Sequence, residues 1–329
     1  MGTPRIATAG SGSEAASVVT SAPRNTTGAA PRPPRARRPR DNGPAGRSRI
    51  APYLFLLPGM VLFGVFVIWP AASAVQIAFY KYNIIDPAVP VGWANFDRLL
   101  HSGEFWQVVR NSLVYLVGLV PFATILPLLL AVLVNRPLRG IKVFRAIYFL
   151  PVITSMVAVA VAWSFVFDDQ GLLNWFFGMF GDHDSVHFLI DRAWAQPSVI
   201  LVEGWKGMGT YMMILLAGLQ SIPSDLYEAA TVDGAGAWAR LRYITLPMIR
   251  PFLAVALTLE MLGSMQVFTS VFMLTKGGPD NSTASLGYFI YSQAFEGHRM
   301  GYASAAALMM CVFLVLLSLL NYRLGRRND

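Results

Sequence analysis

Pro223-Ser224-Asp225-Leu226-Tyr227-Glu228-Ala229-Ala230-Thr231-Val232-Asp233-Gly234, followed nine residues later by Ile244-Thr245-Leu246-Pro247, is a water-compatible stretch set between two strongly apolar ones. Pro223 and Ser224 break the apolar run before it. Asp225, with Glu228 three residues on, has the spacing of a reciprocal capping box, so a helix is expected to start here. Leu226, Ala229, Ala230 and Asp233 share roughly one side of that helix, where the two alanines let another surface approach closely. Gly234 is expected to end it, because glycine enters the left-handed backbone region without steric cost. A second short helix is expected from about Ala237 to Ile244, with Leu246-Pro247 marking the exit towards the next apolar run. From spacing alone, the stretch is either an amphipathic connector in which Glu228 is only a cap or a surface built for a partner.

The flanking sequence is that of a membrane protein. Of 329 residues, 55% are hydrophobic and 13% charged, and the mean hydropathy is +0.50, which argues against a soluble enzyme. Six segments reach the roughly 20 apolar residues needed to cross a bilayer: Tyr53 to Phe79, Ser112 to Val134, Phe144 to Phe167, Pro197 to Leu219, Phe252 to Leu274 and Tyr302 to Asn321. Several contain proline, which membrane helices tolerate when neighbours or water satisfy the freed carbonyl. The expected fold is therefore all-α, a polytopic bundle of six transmembrane helices. The single cysteine, Cys311, lies in an apolar run and reads as a small apolar filler.

Residues 1–49 form a separate region with nine arginines against Glu14 and Asp41, and with no apolar pattern to offset the entropy of folding. A disordered basic arm is expected. Its interleaved prolines and its lack of an aromatic platform argue against nucleic-acid binding and for an anchor on anionic membrane lipid. It is also too long before the first apolar segment to read as a cleavable signal peptide. With the amino terminus placed in the cytoplasm, nineteen basic residues fall on that side and six on the other. The positive-inside rule then puts both termini and the 221–250 loop in the cytoplasm.

The order Glu228-Ala229-Ala230, Gly234, Ile244, Leu246-Pro247 resembles the EAA signature, E-A-A-x-x-x-G-x9-I-x-L-P, of permease subunits of binding-protein-dependent ABC importers. Asn95-Phe96, Phe105-Trp106, Arg110-Asn111-Ser112-Leu113, Arg145-Ala146-Ile147-Tyr148-Phe149-Leu150-Pro151 and Thr275 to Thr283 are similar to segments of the carbohydrate-uptake, maltose-type class. The resemblance covers residues 50–325 and excludes the arm. Larger members of that class carry an extra span and a large exterior domain near the amino terminus; this chain resembles the shorter six-span members. The resemblance implies an importer transmembrane domain over 50–325 with a cytoplasmic coupling helix in the loop 221–250. The implied assembly is a second homologous permease, a pair of ATPase subunits and an extracytoplasmic solute-binding protein, in a bacterial-type inner membrane. Glu228, Ala229, Ala230, Gly234, Ile244, Leu246 and Pro247 would be the ATPase-coupling residues, with Glu228 seated in an ATPase cleft.

The sequence has no G-x-x-x-x-G-K-[ST] phosphate cradle, so ATP and magnesium are expected on the partner ATPase, with no cofactor in this subunit. His101, His183, His187 and His298 are scattered without metal-ligand spacing, and no catalytic or metal site is expected. Ionisable residues inside spans are functional candidates because of their desolvation cost. Glu203 and Lys206, three apart, either neutralise one another or face a polar pathway. Glu260 has no local basic partner, and Gln266 lies near mid-membrane on the same expected helix. With Trp205, Tyr211 and Phe268 these residues have the hydrogen-bonding groups and aromatic faces a sugar path needs; ordinary interhelical packing is the alternative for each. An ion-coupled secondary transporter using Glu260 or Glu203 is the competing function. Glycerol-phosphate or polyol uptake is a further option within the same importer family.

Overall fold

The computed structural model describes residues 51–135, 140–180 and 185–326. The chain divides into two units, residues 1–58 and 59–329. The described part of the first is helical, and the arm expected over 1–49 lies outside the described residues. In chain order the helices are α1 (Tyr53–Ile77), α2 (Ala94–Leu100), α3 (Gly103–Val134), α4 (Ile141–Ile153), α5 (Met156–Val166) and α6 (Leu172–Gly178). They continue with α7 (Arg192–Gln220), α8 (Ser224–Val232), α9 (Ala237–Met248), α10 (Arg250–Met265), α11 (Thr269–Leu274), α12 (Leu286–Tyr291) and α13 (Met300–Arg326). Among the described residues the β-structure is one antiparallel pair, Tyr80–Lys81 with Val89–Pro90. The chain is thus all-α, as its apolar runs require.

Four helices, α1, α3, α7 and α13, are long and apolar enough to cross a bilayer alone. The pairs α4/α5 and α9/α10 qualify only together, bent by 99° and 65°, and bring the total to six when each pair is one span. The expected third span, Phe144 to Phe167, is therefore not one straight helix. Pro151 lacks the N–H that would bond four residues back, and Thr154 and Ser155 turn extended between α4 and α5. The expected fifth span, Phe252 to Leu274, is interrupted too. Gln266 to Phe268 leave the helix between α10 and α11, and the Ser285 hydroxyl donates to the Val267 carbonyl there. Both breaks release backbone groups that hydrocarbon would not satisfy.

The centre is α7. At 29 residues it is about 43 Å long at 1.5 Å per residue, and it packs on α3, α4, α5, α10 and α11. Val199, Val202, Met212, Leu215 and Leu216 on its inner faces are buried. Its glycines set how close the neighbours come. A Cβ on Gly209 would stand 2.4 Å from the Tyr148 carbonyl oxygen of α4, and one on Gly218 2.7 Å from the Phe252 ring of α10. Small residues permitting such approach are a main source of helix association in lipid, where burial gives no hydrophobic drive. Cys311 proves exposed on α13 rather than filling the core.

Replacing Gly209 with alanine should therefore destabilise the bundle. The gain in helix propensity, up to about 1 kcal/mol, is outweighed by overpacking against backbone, about 1–3 kcal/mol. Thermal unfolding of the detergent-solubilised chain should show a lower midpoint; an unchanged midpoint would mean that α4 and α7 separate freely at this point.

Candidate functional site: a rigid turn and a membrane cavity

Pro223 occupies the cap position of α8, with φ −58° and ψ 134° and no side-chain cap bond. The capping box expected between Asp225 and Glu228 does not form. Proline's fixed φ starts the helix at Ser224, so Asp225 already lies inside the first turn, where its carboxylate accepts a long 3.4 Å bond from the Ser224 hydroxyl. Glu228 stands free on the exposed surface. At the other end Gly234 has φ +74°. The Ala235 N–H bonds the Ala230 carbonyl (2.8 Å) and the Gly234 N–H bonds that of Thr231 (3.1 Å), the paired closure of a Schellman motif.

The second helix, α9, runs beyond the expected end at Ile244. A five-residue π turn over Leu241–Thr245 precedes Leu246 and Pro247, so the proline falls in the first turn of the next α segment, where its missing N–H is harmless. The chain then bends at Ile249 into α10. Two side-chain bonds close the α8–α9 turn: Tyr227 and Thr245 hydroxyls at 2.9 Å, and Arg240 Nε to the Ala235 carbonyl at 2.8 Å. Tyr227, Ile244 and Leu246 pack onto the cluster of Leu215, Leu216, Leu219 and Ile249, tying the turn to α7 and α10. What it presents outward is Glu228 and Ala229, with Val232, Trp238 and Tyr243 74–88% exposed, while Ala230 is half-buried. A groove of about 530 Å³ beside it is lined by Asn135, Tyr227, Trp238 and Arg240.

Between α7 and α10, next to both helix breaks, lies a cavity of about 380 Å³. Five of the six path candidates, Glu203, Tyr211, Glu260, Gln266 and Phe268, line it, together with Lys206, Met156 and Thr269. Trp205 does not; its indole packs edge-on against Trp163 of α5, centroids 5.6 Å apart. Glu203 and Lys206 form no ion pair. Glu203 accepts a 2.5 Å bond from the Ser270 hydroxyl, and the Lys206 amine donates to the Val152 carbonyl at 3.4 Å, one of the last carbonyls of α4 and hence without a helical partner. Glu260 is 6% exposed, with the Tyr211 hydroxyl as a polar neighbour. The Phe268 ring is held by Phe272 and Tyr291 at 5.5 and 5.0 Å. Thr269 and Ser270 were missed in the sequence because nothing there signals that the helix stops at Met265 and restarts at Thr269.

Segments quoted separately in the sequence meet at the opposite end of α3. Asn111 Nδ2 donates to the Asn281 and Ala284 carbonyls (2.7 and 3.1 Å), and the Tyr115 hydroxyl to that of Thr283 (2.8 Å). Ser112 Oγ accepts from the Leu286 N–H at 3.0 Å. Asn95 donates to the Ala78 and Tyr80 carbonyls that follow α1, and Arg145 donates to the Val134 carbonyl closing α3. His187 bonds Asp169 at 2.7 Å; His183 lies outside the described residues, and no metal-ligating group occurs among those described.

Residues 88–329 match the family described as binding-protein-dependent transport system inner membrane component. The probable ABC transporter permease protein YurN of Bacillus subtilis is 33% identical, over 84% of this chain and 96% of its own length. The trehalose/maltose transport system permease protein MalF of Thermococcus litoralis is 33% identical, over 84% and 94%. Among solved structures, a bacterial ABC transporter involved in the import of the acidic polysaccharide alginate superposes with a TM-score of 0.74 at 29% identity, covering 84% of this chain and 95% of that one. The alginate transporter in complex with an alginate pentasaccharide-bound periplasmic protein gives 0.73, also at 29% identity, over 84% and 94%.

Because Gly234 is left-handed in open space, alanine there costs backbone energy only, about 1–2 kcal/mol. Amide exchange over residues 229–235 of a Gly234→Ala variant should accelerate roughly 5- to 30-fold while exchange in α7 is unchanged. Equal rates in both proteins would show that the turn is not held by this residue.

Proposed function

Since the chain belongs to the family of binding-protein-dependent transport system inner membrane components and is a membrane-embedded permease subunit of an ABC importer, we propose that the solute it passes is a saccharide. Its driving force is ATP hydrolysis in a partner ATPase pair coupled through Glu228. The partners are a second, homologous permease, the ATPases, which bind ATP and magnesium, and an extracytoplasmic binding protein. The observation that carries this reading is mechanical. One rigid element, the α8–α9 turn, presents Glu228 at the surface and continues through Ile249 into α10, the helix that carries Glu260 to the cavity wall.

Support for a saccharide comes from the wall itself, which combines carboxyl, amide, amine and hydroxyl groups with the Phe268 ring, and from the trehalose/maltose permease and alginate importer among the similar proteins. The excess of basic residues supports a cytoplasmic side for the turn and both termini, where ATP is available. Closure of the ATPases would displace the turn, and α9–α10 would transmit the movement to the cavity as a rigid-body change. An ion-coupled carrier would not need an exposed turn built in this way.

In vesicles holding the assembled importer, with ATP and no ion gradient, uptake should proceed. Glu228→Ala should lower it by about tenfold or more, as expected from losing a charged hydrogen bond worth about 1.5–3 kcal/mol, with the protein still in the membrane. Gln266→Leu should weaken uptake and leave binding-protein-stimulated ATP hydrolysis in place. Wild-type uptake and normal ATPase association in Glu228→Ala would make the turn a mere connector, and uptake that needs an ion gradient would overturn the ATP-driven reading.

A further inference from the structure

A further pocket lies at the other end of α7 from the α8–α9 turn, where the chain passes from α5 through α6 to the start of α7. Its volume is about 470 Å³, and Asp169, Gln170, Asn174, Trp175, Phe177 and Trp194 line it, a size and a mixture of rings with polar groups usual for small-molecule sites. Its walls are fixed from behind. Asn174 Nδ2 donates to the Asp168 and Val186 carbonyls at 3.2 and 3.0 Å, and its Oδ1 accepts from the Val186 N–H at 2.9 Å. Phe188, buried, stacks with Phe177 at 6.2 Å and meets Trp194 edge-on at 5.8 Å. Trp175 and Trp194 are nevertheless 62% and 44% exposed, so ring surface stays open to the pocket. At the rim Asp169 Oδ1 is taken by His187 Nδ1, while Asp169 Oδ2 and the Gln170 side-chain amide have no partner among the described residues. The Asp169 and His187 side chains are 53% and 56% exposed, and such a pair is too costly for hydrocarbon, so this rim stands in water. The exposed apolar face of α6 is a different one, made by Leu172, Phe176 and Met179 at helical spacing.

We propose that this pocket is a second saccharide-binding site, in which a sugar ring lies against Trp175 or Trp194 and its hydroxyls bond Asp169 and the Gln170 amide. The inference rests on the saccharide-permease reading above and adds a place where solute is held outside the 380 Å³ cavity. A sugar ring has an apolar C–H face that suits an indole and an edge of hydroxyls that both donate and accept, so one ligand uses both halves of the lining. An acyl chain would cover the rings but leave the rim groups without partners. Position agrees with the chemistry. Trp194 and Glu203 lie on the same helix, about 13 Å apart along its axis at 1.5 Å per residue, so the pocket stands one short step from the wall that carries Glu203. The excess of basic residues favours the extracytoplasmic side for this end of α7, the side from which solute arrives.

The test uses the assembled permease–ATPase complex in nanodiscs, titrated calorimetrically with maltotriose, cellotriose, lactose and xylotriose, and with any oligosaccharide that mass spectrometry finds copurifying. At least one of these should bind, and Trp175→Ala should weaken that binding about tenfold, as expected for an aromatic anchor. Trp175→Phe, which keeps a ring, should recover most of the affinity. Gln170→Ala at the rim gives an independent reading if Trp175→Ala does not assemble, and it should weaken the same sugar at least about fivefold. No binding by any of these sugars, or affinity unchanged in both alanine variants, would overturn the second site. Capture of the binding protein lost in Trp175→Ala with sugar affinity intact would overturn it too, making the pocket a protein contact. A copurifying solute that is not a saccharide overturns the underlying reading as well, whereas saccharide uptake without Trp175-dependent binding overturns the second site alone.

Discussion

A backbone carbonyl released inside a membrane has no water to turn to, and the architecture of this protein follows from how its released carbonyls are satisfied. Two of the passes expected from the sequence, the third and the fifth, are broken, and each break is met by a side chain from elsewhere in the fold. Lys206 of α7 reaches the Val152 carbonyl at the end of α4, and Ser285, ahead of α12, donates to the Val267 carbonyl between α10 and α11. Without those donors the interruptions would be too costly to keep. With them, the chain opens a polar cavity at the level where both helices stop.

The same economy of contacts makes the exposed turn rigid. Its two helices are short, and short helices are marginal alone, yet the Tyr227–Thr245 bond, the Schellman closure at Gly234 and the packing of Ile244 and Leu246 on the α7 cluster leave it little freedom. A turn fixed in this way moves only with α7 and α10. Both helices line the cavity, so the exposed turn and the cavity wall are built on the same two elements.

Opposite the turn, the Asn111 and Tyr115 side chains of α3 bind carbonyls of the 275–285 connection across some 170 positions of sequence. These polar groups are buried, and removing one partner would strand the other. They keep the connection between α11 and α12 pressed against α3.

Much of this was legible in the sequence, for reasons that are local. Hydropathy run length sets how many times the chain can cross a bilayer, Gly234 announces a left-handed helix end, and the Glu228-Ala229-Ala230 to Leu246-Pro247 spacing is read directly from the chain. The misreadings are tertiary. Asp225 looked like half of a capping box, but Pro223 had already started the helix; of the two readings open for Glu203 and Lys206, mutual neutralisation or a polar pathway, the structure favours the second, since both line the cavity and take Ser270 and Val152, far away in sequence, as hydrogen-bond partners. Trp205 looked like a path residue and found Trp163 instead. The sequence by itself determined the apolar spans, the turn and the residue types able to bind a polar solute, because these depend on length, local backbone preference and composition. Only the tertiary structure decided where the spans break and which side chains share a cavity, because a helix break survives in lipid only if another element brings a donor to it.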